Sequence, residues 1–277
     1  MSAKTGLIGA PAGETPSTGR GVDWRNMLRG SRALVLGGLT TALFVLAWQL
    51  TATYKLIDPL FLPRPLTVLS ALKDIVTSDT FPKDLRVSAY EFALGLGLSV
   101  LVGGVLGILS GWYRPVEEAL RPLVIALNSV PHLALIPLLI MIFGIGTLPK
   151  VILVLLSCVV VMIMNTAAGV ENVDPQLMRM SRSFGASDAK VIRTIVLPSV
   201  IPFFMTGVRI SVGRAVVAVA VAEIFASVAG LGNILIKAQS SLNMPVMYAD
   251  VVLLTVLGIT LTQAAAALER TLQRWKA

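Results

Sequence analysis

Long apolar runs alternate along this chain with short polar intervals. Six stretches of roughly twenty residues are hydrophobic enough to be stable in lipid. They cover residues 33–54, about 88–112, about 122–146, 151–170, about 201–226 and 251–268. In hydrocarbon every backbone N–H and C=O needs an internal partner, so each run is predicted to be a helix. The third run contains Pro131 and Pro137, each of which removes a backbone hydrogen bond. Such breaks are tolerated where the backbone is buried in protein or lines a cavity. A merely kinked structural helix is the plain alternative. On the second run Gly103, Gly107 and Gly111 recur every four positions. They let another helix approach closely, either within the chain, which the residues favour, or from a second copy.

One interval breaks this pattern in an informative way. Residues 174–198 carry Arg179, Arg182, Lys190 and Arg193 between two apolar runs. They read as two short helices. Asp174 is placed to cap the first, with Pro175 at its first position. Gly185 is placed to end it in a left-handed conformation, and Ser187 to cap the second. A helix-turn-helix held between membrane spans is a docking element for a soluble partner.

Composition agrees with a single membrane domain: 55% of residues are hydrophobic and 14% charged, with a mean hydropathy of +0.82. The net charge of +8 is explained by the excess of Lys and Arg that cytoplasmic segments carry, rather than by nucleic-acid binding. Lys4, Arg20, Arg25, Arg29 and Arg32 precede the first run, Arg114 and Arg121 follow the second, and Arg270, Arg274 and Lys276 end the chain. With six crossings these fall on one side together with the polar interval, which places both termini in the cytoplasm. Residues 55–86 mix both signs and are placed outside by parity, with an amphipathic helix expected over 67–76. Residues 1–32, rich in Gly, Ser, Thr, Pro and charge, read as a disordered tail. They do not read as a cleavable signal. Residues 33–277 form the membrane domain.

Polar groups inside the spans narrow the chemistry. Arg209, Arg214 and Glu223 lie in the fifth run, where ionisable residues face protein or water. The two arginines read as near the cytoplasmic end, able to snorkel there. Glu223 is nine positions from Arg214, half a turn out of phase at about 100° per residue, and so needs a partner on another helix. It is an anchor or a gate. Asn128, Asn165 and Thr166 either line a path or bond between helices. The lone Cys158 reads as core. The lone His132, with no second His, Cys or acid pair, reads as a packing or pathway residue and not a metal ligand. No Gly-x-x-x-x-Gly-Lys-Ser/Thr loop, nucleophile elbow or His-Glu-x-x-His pair occurs. The chain is therefore expected to be no enzyme and to carry no cofactor. If transport is ATP-driven, the motor is a separate subunit.

These residues resemble a known family. Gly185, nine intervening residues, then Ile195-x-Leu197-Pro198 is similar to the loop of binding-protein-dependent ABC importer permeases. The flanking residues 165–175, Ile136-Pro137-Leu138-Leu139, Phe143-Gly144-Ile145-Gly146, residues 206–210, Ala222-Glu223 and Leu62-Pro63-Arg64-Pro65 resemble the nitrate/sulfonate/taurine branch. The acid and two alanines that name the loop are here Arg179, Met180 and Ser181, which puts in doubt any salt bridge from that acid. The resemblance spans about residue 33 to the C-terminus. It implies an all-α, type I importer permease of about six transmembrane helices, with a cytoplasmic coupling loop over about 171–198. Met178, Arg179, Arg182, Phe184, Gly185, Ala186, Ser187 and Lys190 would meet the ATPase. Candidate pathway or gating residues are Asn128, Pro131, Pro137, Asn165, Arg209 and Glu223. Partners implied are two cytoplasmic ATPase subunits, a periplasmic or lipid-anchored binding protein and a second permease copy, in a bacterial inner membrane. The solute would be small and often anionic. An ion-coupled secondary transporter is the competing reading. It needs intramembrane acids, for which only Glu223 and Glu91 qualify, and often internal repeats, of which none is evident.

Overall fold

The computed structural model describes residues 24–226 and 228–273, with side chains from residue 35 onward. Among these residues all regular structure is helical. The chain divides after Thr51. The described residues of the first unit belong to α1 (Trp24–Thr53), which begins earlier than predicted because residues 24–32 continue the helix. The rest of the expected tail lies outside the described residues.

The second unit, from Ala52 onward, is a helical bundle. Its long members are α3 (Phe81–Trp112), α6 (Thr147–Glu171), α9 (Leu197–Ala226) and α11 (Met244–Gln273). Each is long and apolar enough to cross a membrane, as is α1 over Val35–Thr53. The third predicted span takes a different form. It is split into α4 (Arg114–Ser129), a 3₁₀ turn (His132–Leu135) and α5 (Ile136–Phe143), with a bend of 84° at the break. Pro131 caps the 3₁₀ turn and supplies the break, because its ring and missing N–H end the preceding helix. Pro137 and Pro122 do not. Pro137 sits in the first turn of α5, where no N–H is needed, and Pro122 is accommodated inside α4.

Helix α6 is the axis of packing. Leu153, Val154, Cys158 and Met162 are completely buried along it, and Ala215, Ala218, Val219 and Ala222 of α9 join the same core. The glycine stripe faces inward within the chain. A Cβ added at Gly103, Gly107 or Gly111 would lie 2.9, 2.8 or 2.9 Å from the carbonyl oxygens of Val159, Ile163 and Ala167. Four-residue spacing on α3 thus meets four-residue spacing on α6. The backbones approach as close as small residues allow, which is where helix association in lipid gains its dispersion energy.

The expected amphipathic helix is α2 (Pro65–Thr77). It packs through Val68, Ala71 and Ile75 against α11, leaving Leu66, Leu69 and Val76 exposed. Cys158 is a core residue, as read from the sequence; its Sγ lies 3.4 Å from the Ser211 carbonyl.

Candidate functional site

The polar interval folds as α7 (Pro175–Ser183) and α8 (Asp188–Val191). Asp174 Oδ1 accepts from the Gln176 N–H at 2.7 Å, capping α7 as its position predicts. Gly185 has φ +69°. Its N–H donates to the Arg182 carbonyl at 2.9 Å, and that of Ala186 to the Ser181 carbonyl at 3.1 Å. This paired closure satisfies the last carbonyls of α7 and requires the left-handed residue. Ser187 stands at the N-cap of α8, but its side chain makes no capping bond. Nor is α8 free-standing: a π-helical turn, Ile192–Val196, joins it directly to α9.

The motif has two faces. Val173, Val191, Val196 and Val200 form a buried cluster with Val170, against which Met178, Ala186 and Trp112 pack. Met178 and Ala186, read from the sequence as docking residues, therefore turn toward the bundle. Arg179, Arg182, Ser187 and Lys190 are exposed, and Phe184 protrudes with 84% of its surface open. Desolvating such a ring is a large apolar gain for a partner with a matching groove.

At the opposite end of the bundle lies a buried polar clasp. The loop after α9 passes through Gly230, at φ +125°, into α10 (Leu231–Ser240). The first N–H groups of a helix have no partner within it, and here three successive ones, from Gly230 to Gly232, find partners on other elements. Gly230 N–H donates to Asp84 Oδ1 at 2.9 Å, Leu231 N–H to Ser88 Oγ at 2.9 Å, and Gly232 N–H to Glu223 Oε2 at 2.7 Å. Ser88 Oγ in turn donates to Glu223 Oε1 at 2.6 Å. Carboxylates at a helix N-terminus also meet the positive end of its dipole. The expectation that Glu223 takes a partner on another helix is met by Ser88 of α3 and the α10 N-terminus. One turn deeper on α3, Glu91 pairs with Lys150 of α6, both almost wholly buried. Asp250 of α11 is also fully buried, and its carboxylate oxygens have no hydrogen-bond partner among the described residues.

Sequence reasoning missed Lys150, Asp84, Ser88 and Asp250. The signal was present for two of them. Asp84, Ser88 and Glu91 follow a helical stripe of four and three positions, but hydropathy starts the second span at about 88, so Asp84 falls outside it. Lys150 lies just before the predicted start of the fourth span.

Of the other candidates, Arg209 forms an ion pair with Glu269 of α11 at 3.3 Å, and Glu269 also accepts from Thr206 Oγ1 at 3.0 Å. This ties α9 to α11 toward the end of the bundle that carries α7 and α8. Asn165 donates within its own helix to the Val161 carbonyl at 2.8 Å. Asn128 is exposed on α4. Pro131 lines a cavity of about 480 Å³ with His132, Ser157 and Arg214. These candidates are thus not one site.

A family model described as the binding-protein-dependent transport system inner membrane component matches residues 103–274. This chain belongs to that family. It is 33% identical over 261 residues to the taurine transport system permease protein TauC of Escherichia coli (strain K12), covering 92% of this chain and 94% of that one. It is 29% identical over 265 residues to the putative aliphatic sulfonates transport permease protein SsuC of Bacillus subtilis (strain 168), covering 96% of each. The fold is similar to a chain of the MetNI methionine ABC transporter in an inward facing conformation, with TM-score 0.56 and 22% identity over 72% of this chain and 100% of that one. It is similar also to a chain of an amino acid ABC transporter solved with histidines, with TM-score 0.55 and 18% identity over 75% and 97%. The protein is thus a multi-pass permease subunit of an ABC importer, and nothing in these relations favours the ion-coupled alternative.

Proposed function

We propose that this permease imports a small anionic solute of the sulfonate or taurine type, delivered by a periplasmic or lipid-anchored binding protein and driven by separate cytoplasmic ATPase subunits. The observation that carries the reading is the exposed α7–Gly185–α8 motif with Phe184 at its tip. It is joined without a break to a membrane span, through the π turn into α9. A push on the motif is transmitted along α9 to the clasp at its far end, through a helix of about 45 Å at 1.5 Å per residue. Arg179, Arg182, Phe184 and Lys190 meet the ATPase; Met178 and Ala186 hold the motif to the bundle. ATP binding closes the ATPase dimer, the motifs move with it, and two permease copies switch access from outside to inside as rigid bodies. Glu223 acts in this switch by locking α9 to α3 and α10, either as a fixed anchor or as the outer latch.

The solute assignment is supported by the names of the relatives, and the docking assignment by the geometry. The test is a reconstituted complex with its ATPase and binding protein. Taurine-, alkanesulfonate- or nitrate-loaded binding protein should stimulate ATP hydrolysis, and the sulfonates are expected to do so best. If no ATPase copurifies, the docking assignment fails. If nitrate alone stimulates, the sulfonate assignment fails.

A further inference from the structure

Arg214 is the anomaly of the fifth span. It lies about 18 Å from the Ala226 end of α9 and about 26 Å from the Leu197 end, at 1.5 Å per residue, so it is near the middle of the span rather than toward one end. Arg209 has Glu269; Arg214 makes no ion pair or hydrogen bond among the described residues, and its side chain is exposed. A guanidinium at mid-membrane depth is not left against lipid tails; it faces protein or water. It opens on the cavity of about 480 Å³ that lies where the third span breaks, lined by Pro131, His132, Ser157, Arg214 and Val217. His132 sits in the 3₁₀ turn at the break. Its ring hydrogen-bonds the Leu127 backbone and feels the charge of Arg214, while its Nε2 is buried without a partner. Ser157 adds a hydroxyl, and no acidic residue is in the lining. None of the buried acids, Asp84, Glu91, Glu223, Asp250 and Glu269, lines it.

We infer that this cavity is a mid-membrane resting site for the solute's anionic head, with Arg214 as the charge partner and His132 and Ser157 as hydrogen-bonding neighbours. The inference rests on the import reading and names the part of the path that recognises charge. Guanidinium fits a sulfonate because its planar N–H groups can address two oxygens at once. Without a fixed carboxylate nearby, Arg214 is available to a passing anion, and the site can release it because no cage surrounds the ligand.

Two measurements test this. The first reads the cavity without reference to the solute. In a Cys158→Ala background, Ser157→Cys is labelled in the purified complex with a methanethiosulfonate carrying a sulfonate and with one carrying a trimethylammonium. Each rate is divided by that for a free small thiol. The sulfonate reagent should be favoured about tenfold, the effect of one nearby cation at intermediate dielectric, and Arg214→Gln should abolish the preference. Equal normalised rates, or no labelling by either reagent, would overturn the inference. The second measurement is uptake of radiolabelled taurine and ethanesulfonate into proteoliposomes. Arg214→Gln should cut uptake about tenfold or more with the ATPase still bound, and Arg214→Lys should retain more of it. Undiminished uptake by Arg214→Gln would overturn the inference. If Arg214→Gln does not assemble, the labelling preference of Ser157→Cys alone decides. If the unmodified protein imports neither sulfonate yet the labelling preference holds, the import reading fails while the anion site stands.

Discussion

At the scale of single residues the bundle depends on a few charges placed where lipid would otherwise surround them. Glu91 and Lys150 lie almost wholly out of solvent and pair across α3 and α6. A buried pair contributes little net stability, but removing one partner strands the other, at a typical cost of about 3–5 kcal/mol. Lys150→Met should therefore lower the thermal midpoint of the purified permease sharply. The double variant Glu91→Leu/Lys150→Met should recover most of the loss, because no charge is left stranded. A double variant as unstable as the single one would mean that the pair contributes through packing rather than charge. Glu223 differs in kind. Its oxygens take the Ser88 hydroxyl and the Gly232 N–H. A Cβ at Gly230 would collide with its carboxylate, so the loop must be glycine there for reasons of both φ and space.

At the scale of elements, the docking motif shows how a local rule can be read directly. Gly185 at φ +69° donates its N–H to the Arg182 carbonyl and so closes the last turn of α7, and a β-branched residue in that region is a genuine outlier. Gly185→Val should reduce ATPase recovered with the permease several-fold while leaving membrane insertion intact, as measured by copurification and membrane fractionation. Nothing else crowds this position, since a Cβ there meets open space. An effect would therefore be conformational rather than steric. On the same exposed face, Arg179→Glu should weaken the complex more at low salt than at high salt, because screening shortens the reach of exposed charges. Recovery independent of ionic strength would show that Arg179 is merely solvated.

At the scale of the whole molecule, the long helices of the second unit give the bundle two chemically distinct ends. The C-terminal ends of α3, α6 and α11, with the start of α9, carry the docking motif, Arg114 and Arg270; the other end carries the clasp and the turn at Leu242. In a Cys158-free background, a cysteine replacing Ser183 beside Arg182 should be shielded from an impermeant thiol reagent in intact cells. One replacing Leu242, which is 59% exposed, should react. Reaction at 183 from outside would invert the topology and place the ATPase contact on the wrong side.

The sequence alone makes readable the helical class, the long apolar helices apart from the break in the third, the Asp174 cap, the Gly185 turn and the close-packing role of the glycine stripe. All of these follow from periodicity, dihedral restriction and the cost of unpaired backbone in lipid, which act over a few neighbouring residues. It also supported the expectation that Glu223 needs a partner elsewhere, because an acid in a span cannot remain alone. Which partner it takes is set by the packing of the helices. Lys150 is far from Glu91 in sequence, Gly230 from Asp84, and Glu269 from Arg209. The structure also decided that the third span breaks by 84° at Pro131, whereas Pro137 fits into a first helical turn. A proline alone does not specify whether it kinks, starts or ends a helix; the elements packed around it do. For the same reason Arg214 and His132 read separately, the one as a cation able to snorkel and the other as a packing or pathway residue. The cavity that joins them exists only after α6 and α9 have closed around the break.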